Sequence, residues 1–275
     1  MRKVLIVLAL TLMGLPAGAA PSADDNCKST DPDTRISGCT AVIATGQLNT
    51  SDLSAVYFLC GRAYTDKGLY AQAIADYTKA ITLRPDWAQF YRERGDAYQD
   101  EAQYDQAIVD YTHAIALSPA DPNAFADRAA ANLSLDKADQ AITDFNRAVE
   151  LKSDNPELFA GRGLAYVKKS AFDQAIADFT KAIALHLAPA DHAAQVYIWR
   201  GNAYSDERLF DQAIADYTQA IALNAGQTDA YLSRGATYGA KGLTQDEVAD
   251  YRAALKIDPN NRDAKDRLKL LGAAP

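Results

Sequence analysis

Apolar residues recur at helical spacing along this chain, and the spacing itself is repeated. In the stretch Ala88 to Asp121, AQFYRERGDAYQDEAQYDQAIVDYTHAIALSPAD, rings stand near the start and at the third turn of a first segment, as Tyr91 and Tyr98. Tyr57 and Tyr64, and Tyr197 and Tyr204, keep that placement. A second segment reads like DQAIADYTQAI, where Ile214, Tyr217 and Ile221 fall on one helical face. A polar turn such as Ser205-Asp206-Glu207-Arg208 separates the segments. Pro85, Pro119 and Pro259 close their units, because proline cannot continue a helix interior. The pattern predicts helix pairs and no sheet.

Thirty-four residues either side of Gly95 lie Gly61 and Ala129, and further steps reach Gly163, Gly201 and Gly235, with one longer step of thirty-eight between Gly163 and Gly201. Such a period identifies a stacked array, in which each pair buries its bare face against the next. Full units are expected at 54–87, 88–121, 122–155, 156–189, 194–227 and 228–261. The leading region 20–53 reads as a tail, Ala20 to Thr34, ending in a turn with Asp31 as N-cap and Pro32 behind it. Arg35 to Ala44 then aligns with Ala73 to Thr82 as the second helix of an incomplete leading unit. Residues 262–275 read as a charged closing helix and tail, with Leu268, Leu270 and Leu271 available to cap the array.

Small residues such as Gly95 and Ala107 let the paired backbones approach, so the neighbouring rings interleave around them. The third unit breaks the pattern with Asn132 and Ala138 where rings stand elsewhere, which predicts looser packing. Four extra residues, Pro189 to His192, are expected to lengthen a turn and mark a place of bending. Glu247 at a position otherwise Ala signals an array end.

With Tyr91, Arg94-Gly95, Tyr98, Ala107, Tyr111, Ala114 and Pro119 in place, the unit resembles the tetratricopeptide repeat, over about three quarters of the chain. Arg replaces the usual Leu beside the Gly in five copies. The resemblance implies an all-α fold, a right-handed α-α superhelix of six helix pairs with a leading half repeat and a capping helix. It also implies a concave groove, lined by first helices, that accepts a peptide or protein segment. By repeat alignment the groove candidates are Phe58 and Arg62; Arg92, Asp96 and Gln99; Asn123, Ala126 and Ala130; Ala160, Leu164 and Val167; and Ile198, Asn202 and Ser205. The Lys and Asn residues with which related cochaperones hold an acidic tail are missing at these positions. An Ala/Leu/Val centre with polar ends suits instead an extended, partly apolar segment.

Composition narrows the partners. The formal net charge is −8, without a basic run, which argues against binding driven by phosphate neutralisation. Met1 to Ala19 carries Arg2 and Lys3, an apolar run and a small-x-small end, the layout of a secretory signal cleaved after Ala19, with no stable membrane insertion afterwards. Periplasmic and extracellular destinations stay open. In an oxidising compartment Cys27 and Cys39 are the first pairing to expect, followed by Cys39 with Cys60, then by free thiols.

The repeated pairs Arg94/Asp110, Arg128/Asp144, Arg162/Asp178, Arg200/Asp216 and Arg234/Asp250 are expected to be structural bidentate bridges rather than a ligand ladder. Trp199 stands outside the recurrent pattern, beside Arg200, and either packs or reaches the groove. His113, His186 and His192 have no catalytic neighbours in sequence, and His186 with His192 supplies only two metal ligands. No cofactor is expected. The reading is a non-enzymatic adaptor for another protein; a self-associating structural array is the alternative, and an enzyme with an unrecognised site comes last.

Overall fold

The computed structural model describes residues 22–274; the stretch read as a signal lies outside them. Two compact units divide after Pro85, and each is taken by itself. The described residues form helices alone.

The first unit contains α1 (Ala23–Cys27), α2 (Pro32–Ala44), α3 (Thr50–Asp66) and α4 (Tyr70–Leu83). Asp31 caps α2 by accepting the Thr34 N–H at 2.8 Å, with Pro32 behind it. The stretch expected as a tail is instead partly helical. Ser22 and Asp25 close a capping box that starts α1, and Gly38 lets α1 lie on α2 so closely that a Cβ there would stand 2.3 Å from the Cys27 nitrogen. The leading repeat thus has both helices, the first cut short. A disulfide joins Cys27 to Cys39 within the core of Val42, Val56 and Cys60. Burial, with the negative charge of Asp76 second, pushes the Cys60 thiol up to about 12, so it stays protonated and inert. Cys60 stands where later repeats have Arg, and Asp76 takes Lys79 as its partner at 2.9 Å.

The second unit contains α5 (Ala88–Asp100), α6 (Tyr104–Leu117), α7 (Pro122–Ser134), α8 (Ala138–Leu151), α9 (Pro156–Lys168), α10 (Phe172–Ala184), α11 (Ala190–Asp206), α12 (Phe210–Leu223), α13 (Thr228–Ala240), α14 (Thr244–Ile257) and α15 (Arg262–Leu270). Each helix packs on the next, and the odd-numbered helices α5 to α13 also touch one another in succession. Gly95, Gly163 and Gly201 make the close approach within a pair. A Cβ at any of them would press to 2.6–2.7 Å from the ring of Tyr111, Phe179 or Tyr217.

The recurring Arg and Asp are paired in every repeat of this unit. Arg162 donates from Nε and Nη2 to the two oxygens of Asp178, both at 2.7 Å, and from Nη1 to Asn146 of the preceding repeat at 2.8 Å. Arg128, Arg200 and Arg234 make the same fork to Asp144, Asp216 and Asp250 and reach back to Thr112, Thr180 and Thr218. Each guanidinium thus ties three helices together. The carboxylates are almost wholly buried, so losing the Arg would strand a charge at a cost of about 3 kcal/mol or more. Arg200 and Arg234 also lie over two rings each, whereas Arg128 lies over Phe125 with Asn132 in place of the second ring.

Two expectations need correction in this unit. Pro189 to His192 do not lengthen a turn, since Pro189 stands at the N-cap position of α11 and the next three residues form its first turn. No break in packing marks the place either: Leu187, Val196 and Trp199 continue the core of Phe159, Ala175 and Phe179 across it. At the C-terminal end Leu268 is fully buried against Tyr251, Ala254 and Ala264, and Leu271 packs alongside, but Leu270 is 77% exposed because it faces away from α14. Arg267 completes the cap by donating to the buried Glu247 at 2.8 Å, in space that Gly239 leaves open.

Candidate functional site: the first-helix face

In the second to fifth repeats the residue fifteen positions before the second-helix ring follows the chemistry of that ring. In the second repeat the Tyr111 hydroxyl passes between the helices and donates to Asp96 Oδ1 at 2.8 Å. In the fifth, Tyr217 donates to Asn202 Oδ1 at the same distance. The third and fourth repeats carry Phe145 and Phe179, which bring no hydroxyl, and the matching positions are Ala130 and Leu164. At these four positions the face of the second unit is therefore apolar on α7 and α9 and polar on α5 and α11.

The sequence-derived candidates divide accordingly. Arg92, Asp96 and Gln99 lie on one side of α5, half-buried; Ala126 and Ala130 on α7 and Leu164 and Val167 on α9 are half-buried too. Asn123 and Asn202 are exposed, and Ser205 is half-buried. Ala160 and Ile198 are not open surface, contrary to expectation. Ala160 sits in the core beside Phe159 and Val196, and Ile198 is 2% exposed among Ala194, Tyr217 and Ala230. In the first unit Phe58 is likewise buried, its ring 5.8 Å from that of Tyr77, while Arg62 remains half-buried at 6.0 Å from the Phe58 ring. For Ala160 and Ile198 the neighbouring first helix, α11 with Val196 and α13 with Ala230, takes up the space they would have faced.

Two residues outside the candidate set adjoin it. Trp199 packs on the core of α9 and α10, its ring 6.1 Å from Phe179, with part of its surface open. Asp127 on α7 stands with its Oδ2 3.9 Å from Arg92 Nη1 on α5. Its helical position, between Asn123 and Ala130 on the same side of α7, was the signal available.

Burial raises the pKa of Asp127 above the usual carboxylate range, the charge of Asp96 adding to it and Arg92 opposing. Asp96 is raised as well, first by burial, against the lowering hydrogen bond from Tyr111. Its neighbours Glu93 and Asp100 push the same way. Among the described residues no group of three or more His, Cys, Asp or Glu is placed to hold a metal ion. A further hollow of about 230 Å³, lined by Ile183, His186, Leu187, Tyr197 and Gln219, opens between α10, α11 and α12.

Comparison with known proteins agrees with this architecture. One sequence model described as TPR repeat matches residues 61–101 and 133–170, and two described as tetratricopeptide repeat match 88–121 and 199–262, more than half of the chain together. A search of curated proteins found no match. Among solved structures, the C-terminal part of a TPR repeat-containing protein from Cytophaga hutchinsonii superposes with a TM-score of 0.70 at 18% identity, covering 90% of this chain and 98% of that one. YrrB, described as a TPR protein with an unusual peptide-binding site, gives 0.58 at 20% identity, covering 70% and 97%. The APC/C hetero-tetramer Cut9-Hcn1 gives 0.66 at 20% identity over 90% of this chain, which spans only 51% of that one. Period, paired helices, interlocked glycines and matching family models lead to one conclusion: the chain belongs to the tetratricopeptide repeat family.

Proposed function

We propose that this protein is a non-enzymatic adaptor of the cell envelope, holding an extended segment of another protein against its first-helix face. The observation that carries the reading is the register of that face, with Ala126, Ala130, Leu164 and Val167 forming an apolar centre between polar flanks at α5 and α11. An extended segment presents apolar and polar side chains in alternation, so it can match both parts. The peptide-binding site named for YrrB supports this use of the fold. The Cys27–Cys39 bridge supports an oxidising, exported location, and the expected signal at Met1 to Ala19 gives the route.

The test is site-specific photo-crosslinking in the native host. A photoreactive residue at the exposed Asn202, on the first-helix face, should yield an adduct with a second protein, and one at the exposed Gln174, on a second helix, should not. Adducts from Gln174 alone would reject the face. The chain purified from the same cells without cross-linking should have the intact mass of a protein beginning at Ala20; retention of the leader would reject export by cleavage.

A further inference from the structure

The second and third repeats hold an excess of acceptors that the protein itself leaves unfilled. Asp96 receives one hydrogen bond, from Tyr111, and among the described residues Asp127 receives none. Its closest cation, Arg92 at 3.9 Å, is beyond hydrogen-bond reach. Gln99, three residues after Asp96 on the same side of α5, has its Oε1 out of contact with water and without a donor. A buried carbonyl oxygen left bare is costly and uncommon, and it marks a place where a donor is missing.

Charge points the same way. Asp96 and Asp127 face a single guanidinium, and Glu93, Asp100 and Asp121 add further negative potential. Asp127 is crowded by protein, yet 32% of its side chain remains exposed, so the place is open to an incoming group. Next to it begins the apolar stretch of Ala126 and Ala130.

We infer that Arg92, Asp96, Gln99 and Asp127 form a seat for one lysine or arginine side chain of the partner segment, whose neighbouring apolar residues lie along α7 and α9. A cation with several N–H donors supplies the charge and the hydrogen bonds that these acceptors lack. An acidic segment would be repelled. The inference rests on the groove reading above, and the following experiment separates the two.

Phage-displayed random nonapeptides are panned against the full chain, against Leu164→Asp and against Asp96→Asn/Asp127→Asn. The Asn at 96 keeps an acceptor for Tyr111, as Asn202 does for Tyr217, and circular dichroism checks the fold. Asp127→Asn alone serves if the double variant fails to fold. Wild type should enrich peptides with one basic residue beside apolar ones. A synthetic enriched peptide should lose about tenfold in affinity when that residue becomes Gln, and the Asp variant should bind both versions within about twofold. Enriched peptides without a basic residue, or a Lys-to-Gln loss that persists in the Asp variant, would overturn the seat and leave the groove standing. Undiminished binding by Leu164→Asp would overturn the groove and leave the seat. No enrichment from the library would overturn both.

Discussion

The second and fourth repeats share one scaffold and expose opposite chemistry. Both press a ring against a glycine, Tyr111 on Gly95 and Phe179 on Gly163, and both fork an Arg onto a buried Asp, Arg94 onto Asp110 and Arg162 onto Asp178. They differ in a hydroxyl on the ring, and with it in the residue that ring reaches on the first helix, Asp96 in one and Leu164 in the other. A buried phenol needs a polar partner, whereas a phenyl ring does not, so in these two repeats the choice made inside the pair goes with the polarity of the surface outside it; in the sixth, where Ala236 holds the matching position, the Tyr251 hydroxyl pairs with Arg267 instead. The face is written partly on the opposite helix.

The largest effect tests the shared scaffold. Arg162→Ala strands Asp178 and unties Asn146, and should cost about 3 kcal/mol, lowering the melting temperature by roughly 10 °C. Arg94→Ala should behave similarly. An unchanged thermal melt for either would show that the guanidinium does not hold its pair together.

Next comes the exchange of ring chemistry. Phe179→Tyr puts a hydroxyl where no acceptor waits and should cost about 1–3 kcal/mol in urea titration. Adding Leu164→Asn, in imitation of Tyr217 and Asn202, should recover most of the loss. Failure of the second change to rescue the first would break the proposed link between ring and face.

The reverse exchange is milder, because Asp96 is less enclosed than a core residue. Tyr111→Phe should cost about 1 kcal/mol, and Tyr111→Phe/Asp96→Leu should return close to wild type, which a double-mutant cycle would read as coupling of about 1 kcal/mol. Additive single effects would mean that the hydrogen bond is incidental.

The smallest effect is on pH dependence. Asp127 has a raised pKa, so the folded chain takes up its proton at a higher pH than the unfolded chain does. Its contribution to stability therefore increases as pH falls through the folded pKa toward the ordinary carboxylate value. Asp127→Asn should melt about two degrees above wild type at pH 8, and the gap should close by pH 5. A gap that widens on acidification would reverse the sign assigned to this group.

Much of this architecture was legible in the amino-acid order, for reasons that are local. A repeat period fixes which helices pair, Asp31-Pro32 marks a helix start through its own backbone geometry, and an Arg sixteen residues before an Asp recurs too often to be surface decoration. Asp127 was missed because the groove was assigned by carrying a few positions from repeat to repeat, and its partner Arg92 lies on a different repeat. Phe58, Ala160 and Ile198 were misplaced for the converse reason: equal positions in a repeat are not equally covered when the adjoining side chains differ in size.

Periodicity and residue type, properties of short stretches, were enough to specify helix pairs, their caps, the Arg–Asp forks and the family. Which acceptors stay bare, which leucine of α15 meets the core and which face residue a tyrosine reaches depend on distances between segments remote along the chain, and those emerge only once neighbouring repeats have packed.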